Sequence, residues 1–84
     1  MEGDDIRAGV VSVLTAVAPE VDPAELDDHQ PLRDQVDLDS MDWLNFLRRL
    51  HRRYGVDIPE SDYAALQTMA DIVAYLGRAR SSVM

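Results

Sequence analysis

Cysteine and lysine are both absent from this 84-residue sequence. Without cysteine, no disulfide can stabilise the fold and no thiolate can bind a metal ion, so the fold depends on packing alone. No stretch approaches the roughly 18 apolar residues of a membrane span. The acidic N-terminal residues, among them Glu2, Asp4 and Asp5, also lack the basic and then apolar pattern of a signal peptide. These absences predict a cytoplasmic protein without a membrane span.

Basic residues are also few, since 8 arginines stand against 16 acidic residues and the formal net charge is -8. Nucleic acid is therefore not an expected partner, because binding it requires a basic surface that neutralises phosphates. At this length, residues 1–84 form one domain. With 46% hydrophobic residues, the chain can bury a compact core but has little interior left for a catalytic cleft. We therefore expect a monomeric binding or carrier protein rather than an enzyme.

Apolar residues at spacings of three and four predict three longer helices. The first covers about residues 4–17 and stops before Pro19. The second covers about residues 40–54, between a cap at Asp39 and a terminating Gly55. The apolar side of this second helix is predicted to face the core, and it consists of Trp43, Leu44, Phe46, Leu47, Leu50 and Tyr54.

The C-terminal third contains one short and one longer helix. Residues 59–66 are predicted to form the short one. Thr68 and Asp71 resemble a capping box at the start of the longer one, which is predicted to end at Gly77 before a frayed tail over residues 78–84. The expected fold is therefore all-α, a small antiparallel four-helix bundle of three longer helices and one short one.

Residues 18–38 form a long connection between the first two longer helices, in which prolines and acidic residues replace the periodicity. Such long connections are uncommon in compact domains unless they have a function or bury apolar residues. The aliphatic residues expected to anchor this one over the bundle are Leu26, Leu32, Val36 and Leu38.

Ser40 lies where this connection ends and the second longer helix begins. A phosphate attached to its hydroxyl would lie beside unpaired backbone N–H groups and the positive end of the helix dipole. A serine at a helix start is also an ordinary capping residue. Position alone therefore leaves both interpretations of Ser40 open.

The tripeptide Asp39-Ser40-Met41 resembles the Asp-Ser-Leu or Asp-Ser-Met signature of acyl carrier proteins. The likeness extends over nearly the whole chain, including the acidic connection and the Gly-Val-Asp-Ile-Pro string at residues 55–59. It implies a carrier without catalytic activity, in which a separate phosphopantetheinyl transferase attaches 4′-phosphopantetheine from coenzyme A to the serine. Acyl groups then travel as thioesters on that arm.

The resemblance also assigns roles to neighbouring residues. It implies that Asp39 caps the helix, that Met41 completes the motif and that Asp42 is recognised by the transferase. Because the core of such carriers can part to shelter an acyl chain, some of the aromatic residues Trp43, Phe46 and Tyr54 are candidates for lining a cavity. The implied partners are enzymes that load, condense or transfer acyl groups in fatty-acid, polyketide or specialised acyl-transfer pathways.

The outer face of the second longer helix departs from typical fatty-acid carriers, which are acidic there. The residues predicted to bind partners on this face are Met41, Asp42, Asn45, Arg48, Arg49 and Arg52. The change of charge predicts a dedicated enzyme with a neutral or acidic docking surface. The same arginines, with Arg53, are also expected to complement the negative end of the helix dipole and to pair with the acidic connection.

Other sites are less well supported by the sequence. A hydrolase triad of Ser40, His51 and an aspartate lacks a glycine elbow, and His51 lies three helical turns from the serine. The aspartates around Ser40 lack the glycine and distal glutamate of a calcium loop, and His29 and His51 have no partner ligands, so no metal site is predicted. The functional alternatives that remain are a D-alanyl-type or other aminoacyl carrier and an unmodified acidic interaction module.

Overall fold

The computed structural model describes the backbone of residues 2–81 and the side chains of residues 5–79. Within these residues the fold is all-α, as predicted, and no helix is long and apolar enough to cross a membrane. Two short 3-10 segments accompany four α-helices. The helices are α1 (Glu2–Val17), α2 (Leu32–Gln35), α3 (Ser40–Tyr54) and α4 (Met69–Ser81), and the 3-10 segments are Pro23–Glu25 and Glu60–Ala65.

Helix α1 packs against both α3 and α4. The hydroxyl of Tyr54, at the end of α3, donates a hydrogen bond of 3.1 Å to the carbonyl oxygen of Ile6, near the start of α1. These two helices are therefore antiparallel. Gly9 permits their close approach, because a β-carbon at this position would collide with the Tyr54 hydroxyl.

The core contains side chains from all three longer helices and from the connection between α1 and α3. Among the described residues, every buried side chain is apolar. The largest fully buried side chains are Ile6, Val10, Leu14, Leu32, Phe46, Leu47, Leu50, Met69, Ile72 and Leu76. The fold therefore rests on hydrophobic burial, as the absence of cysteine requires.

Helix α3 has the bounds that its end signals predict. A side-chain oxygen of Asp39 accepts a hydrogen bond of 2.8 Å from the backbone N–H of Asp42, which caps the first turn. At the other end, Gly55 has a φ of 62°, a left-handed conformation that glycine adopts without steric cost. Ser40 is thus held at a defined helix start.

The C-terminal third differs in part from the prediction. Thr68 and Asp71 form the predicted reciprocal capping box, with bonds of 3.0 and 3.2 Å. The prediction that the helix ends at Gly77 is wrong, because α4 continues to Ser81. The first part of the predicted frayed tail is therefore helical, and residues 82–84 lie outside the described part of the chain.

The connection between α1 and α3 is folded onto the bundle. Leu32, Val36 and Leu38 are buried as predicted, while Leu26 is only half-buried against the core. The sequence did not predict α2 or the 3-10 segment Pro23–Glu25 within this connection. These short elements supply backbone hydrogen bonds in a stretch that would otherwise leave buried polar groups without partners.

Two contacts tie the same connection to its neighbours. The backbone N–H of Ala70, in α4, donates a hydrogen bond of 3.0 Å to the carbonyl oxygen of Asp28. The guanidinium group of Arg7, in α1, donates to both carboxylate oxygens of Asp28, with a shortest distance of 2.8 Å. This bidentate ion pair lowers the pKa of Asp28, against a smaller opposing effect of partial burial.

Replacing Asp28 with asparagine is expected to reduce the free energy of unfolding at pH 7. The folded-state pKa of Asp28 lies below its ordinary value of 3.8, so the ion pair stabilises the fold fully above that value. This contribution is lost as the pH falls through the folded-state pKa. Urea unfolding should therefore show a constant difference between wild type and Asp28→Asn from about pH 7 to 5, and a difference that shrinks as the pH falls below about 4. A difference independent of pH over this range would contradict the assignment.

Candidate functional site

Ser40 is the first residue of α3, and its side chain is exposed. Because Asp39 is the capping residue, the interpretation of Ser40 as merely the cap is wrong. The backbone N–H groups of Ser40 and Met41 have no hydrogen-bond acceptor among the described residues. The serine hydroxyl therefore lies beside two free donors, in the position where a helix best accommodates a phosphate.

The surface around Ser40 combines acidic and apolar side chains. Asp39 and Asp42 are exposed on either side of the serine. Met41 is 80% exposed, and among the described residues it is the only large hydrophobic side chain that is exposed. Leu44, one turn further along α3, was predicted to lie in the core but is only half-buried and does not pack against it. An apolar pair therefore continues from Ser40 along α3.

A groove of about 540 Å³ opens beside the first turns of α3. It runs between the end of the connection, the start of α3 and the second 3-10 segment. Its lining residues are Pro31, Arg33, Asp34, Leu38, Trp43, Tyr63, Ala64, Leu66 and Gln67. Of the three aromatic candidates for a cavity lining, Trp43 lines this groove, whereas Phe46 and Tyr54 do not. The sequence analysis missed Tyr63, whose short helix has no apolar periodicity.

The second 3-10 segment is fixed against α4 by Tyr75. The Tyr75 hydroxyl donates a hydrogen bond of 2.8 Å to a carboxylate oxygen of Asp62. Burial, together with this hydrogen bond, raises the pKa of Tyr75 to about 12. The bond therefore persists at physiological pH and holds one wall of the groove in place.

The six residues predicted to bind partners are all exposed on α3. Only one salt bridge, Arg7–Asp28, joins described residues. The prediction that Arg48, Arg49, Arg52 and Arg53 pair with the acidic connection is therefore wrong, because the connection lies over the core and is tied to α1 and α4 instead. Arg52 and Arg53 lie in the last turn of α3, at the negative end of its dipole, as predicted, whereas Arg48 and Arg49 lie further from that end.

The competing sites do not assemble. One ring nitrogen of His51 lies 2.6 Å from the carbonyl oxygen of Val56, and the helical rise places His51 about 16 Å from Ser40 along α3. No group of three or more metal-ligating side chains converges within the part of the chain that the structure describes. His51 is therefore not placed to act as a general base for Ser40.

Comparison with known proteins adds an independent line of evidence. The family model described as a phosphopantetheine attachment site matches residues 8–76, which is more than half of the chain and includes Ser40. The chain is 32% identical over 73 residues to the meromycolate extension acyl carrier protein of Mycobacterium tuberculosis. That alignment covers 87% of this chain but only 63% of the relative, so the chain spans less than two thirds of that protein.

Two further relatives match over more of their own length. The acyl carrier protein of Rhodococcus erythropolis is 31% identical over 70 residues, which are 80% of this chain and 77% of the relative. The acyl carrier protein of Renibacterium salmoninarum is 30% identical over 81 residues, covering 93% and 95% of the two chains. With an all-α fold and this agreement over nearly its full length, the chain belongs to the acyl carrier proteins, a family of phosphopantetheine-bearing carriers that are not enzymes.

Proposed function

We propose that Ser40 carries the 4′-phosphopantetheine arm and that the protein presents acyl thioesters on it to partner enzymes. The observation that carries this proposal is the exposed Ser40 hydroxyl at the first position of α3, inside the region that matches the family. An exposed helix start gives a transferase access to the hydroxyl without unfolding the chain. The free N–H groups of Ser40 and Met41 favour the phosphate that would follow.

The residues of this chain hold the arm but do not activate it. Once attached, the group supplies a thiol on which an acyl thioester can form. His51 lies too far along α3 to act as a general base for Ser40, and the transferase supplies the activation of the hydroxyl. Exposed Asp42 and Met41 are the residues that we propose this transferase contacts.

The groove beside α3 is the proposed shelter for the acyl chain. Leu38, Trp43 and Leu66 give it an apolar wall close to the start of α3. Burying each methylene there contributes about 0.8 kcal/mol, which favours an acyl chain lying in the groove over one in water. Polar residues at the rim, among them Arg33 and Gln67, leave the outer part of the groove open to solvent.

The pathway we propose is a specialised extension or transfer of acyl chains. Support comes from the mycobacterial relatives, which are named meromycolate extension acyl carrier proteins. The basic second half of α3 supports a dedicated partner, because rim charges act on association rate and on the rejection of wrong partners. The proposed docking face comprises Met41, Asp42, Asn45, Arg48, Arg49 and Arg52.

Reversing charge at Arg48 and Arg52 to glutamate is expected to change partner preference. Both side chains are exposed and have no ion-pair partner among the described residues, so the replacements disturb recognition more than folding. A ketosynthase of generic fatty-acid synthesis should use the reversed carrier more efficiently than wild type, by about 10-fold in kcat/KM at low salt. Equal use of both carriers would show that this face does not govern recognition.

The proposed function is tested by coexpressing the chain with a broad-specificity phosphopantetheinyl transferase and measuring its intact mass. The proposal predicts a gain of one phosphopantetheine per chain. A chain that stays unmodified under conditions that load a reference acyl carrier protein would favour the unmodified interaction module. Loading followed by aminoacylation instead of acylation would identify an aminoacyl carrier.

A further inference from the structure

A second groove lies on a different part of the surface, between α1 and the C-terminal half of α3. It encloses about 490 Å³. Arg49, Arg52 and Arg53 line it from α3, and Ser12, Val13 and Ala16 line it from α1. The helical rise places these arginines about 14–20 Å from Ser40 along the axis of α3. The groove is therefore separate from the start of α3 and from the groove beside Trp43.

Its two walls differ in chemistry. The three arginines are exposed, and none of them forms a salt bridge with a described carboxylate. Arg53 lies over the ring of Tyr54, with 5.8 Å between its guanidinium carbon and the ring centroid, so its charge is held at the edge of the groove. The charges of these arginines are therefore available to the carboxylates of another protein. Half of its 8 basic residues lie between Arg48 and Arg53.

The α1 wall is low. Ser12 and Ala16 are exposed, small and one helical turn apart, and Val13 between them is buried. Small side chains at a spacing of four allow another helix to lie close, because interaxial distances of 8–10 Å depend on the side chains at the contact. A helix seated on this wall would bring its side chains within reach of the arginines on α3.

We propose that this groove docks an acidic helix of a partner protein, with carboxylates at spacings of three and four directed towards Arg49, Arg52 and Arg53. Charge complementarity identifies the occupant. Arg52 and Arg53 follow Arg49 by three and four residues along α3, and arginine and carboxylate groups form paired hydrogen bonds. A nucleic acid fits poorly, because the rest of the surface is strongly acidic and repels phosphates.

The position of the groove has a consequence for the carrier. A partner held between α1 and the end of α3 leaves Ser40, Met41 and the groove beside Trp43 uncovered. Arg49 and Arg52 also belong to the proposed docking face, so a protein bound in the groove covers that part of the face while Ser40 stays accessible. The groove depends on neither the modification of Ser40 nor the identity of its cargo.

The test uses the full unmodified chain labelled with nitrogen-15, at low salt. The ligand is a synthetic alanine-rich helical peptide with glutamates at spacings of three and four. Amide shifts are expected at Ser12, Ala16 and Arg49, with no comparable shifts from a matched peptide in which glutamine replaces glutamate. Ala16→Trp, which blocks the α1 wall, and Arg53→Glu, which reverses one charge, should each weaken binding at least about 10-fold. Arg78→Glu, on α4 and outside the groove, should change it less than about twofold.

Three results would overturn the proposal. The first is that the glutamine peptide causes amide shifts as large as those caused by the glutamate peptide. The second is that the shifts caused by the glutamate peptide lie outside the groove or do not occur. The third is that inorganic pyrophosphate binds more tightly than the glutamate peptide. The last of these would identify a phosphate site instead. Intact-mass measurement of Ser40 loading on Ala16→Trp separates this test from the proposed function, because loading should match wild type whatever the peptide does.

Discussion

Ser40→Ala is expected to abolish loading of the chain with phosphopantetheine. No other residue is proposed to accept the arm, so the variant should gain no mass in the presence of transferase and coenzyme A. The fold should survive, because Asp39 caps α3 and the hydroxyl of Ser40 makes no hydrogen bond to a described residue. Loss of the serine therefore costs less than the roughly 1 kcal/mol of a lost cap.

Ser61→Ala is the matched control for this experiment. Ser61 is also exposed and lies at the start of a helical segment, in Glu60–Ala65, but outside the Asp-Ser-Met motif. Its replacement should leave loading unchanged. Mass gained by the Ser40 variant, together with an unchanged circular dichroism spectrum, would show that another residue holds the arm.

Phe46→Ala is expected to remove about 3–5 kcal/mol from the free energy of unfolding. The Phe46 ring is completely buried, and its removal leaves a cavity in the core beside the middle of α3. A domain of this length has a total stability of about 4–13 kcal/mol, so the variant should be close to unfolding. Urea unfolding followed by circular dichroism measures the loss.

The same variant should also disturb the groove beside Ser40. The ring centroids of Phe46 and Trp43 lie 5.3 Å apart with 41° between the ring planes, so truncating Phe46 removes a packing partner of Trp43. Trp43 is the only tryptophan, and its emission should therefore shift to longer wavelength in Phe46→Ala. Leu44→Ala, at a half-buried position that does not pack on the core, should cost less than about 1 kcal/mol. Equal losses in the two variants would contradict the described packing.

Much of the fold follows from local signals in the sequence. Helix α3 has its predicted bounds because Asp39 and Gly55 are strong end signals on either side of a periodic apolar stripe. Helix α2 was not predictable in this way, since its four residues make about one turn and periodicity needs at least two. The start of the segment Pro23–Glu25 did carry a signal, because Asp22 caps Ala24 and Pro23 favours a first helical position.

The predictions for the end of α4 and for the burial of Leu44 were wrong because tertiary contacts determine both features. Gly77 did not end α4, because it keeps helical backbone, and a side chain of Ile6 packs beside it. Glycine commonly ends a helix by adopting the left-handed conformation, as Gly55 does. Leu44 lies at the edge of the apolar stripe of α3, and a helical wheel cannot tell whether a neighbouring segment covers that edge.

The site was predictable in its chemistry but less so in its surroundings. The Asp39-Ser40-Met41 motif and its place at a helix start indicated the position of Ser40. The groove beside Trp43 depends on how residues 31–38 and the segment Glu60–Ala65 meet across the fold, which no local pattern records. The α3 arginines likewise lack ion-pair partners among the described residues because the acidic connection lies over the core, which is a tertiary arrangement that the local sequence does not record.

The most direct test of the account is to isolate the protein from its own cells and to map its modification by mass spectrometry of the peptide that contains Ser40. We expect phosphopantetheine on Ser40, with part of the population carrying an acyl group that hydroxylamine releases as expected for a thioester. An unmodified Ser40 peptide in cells that load their other acyl carrier proteins would contradict the account.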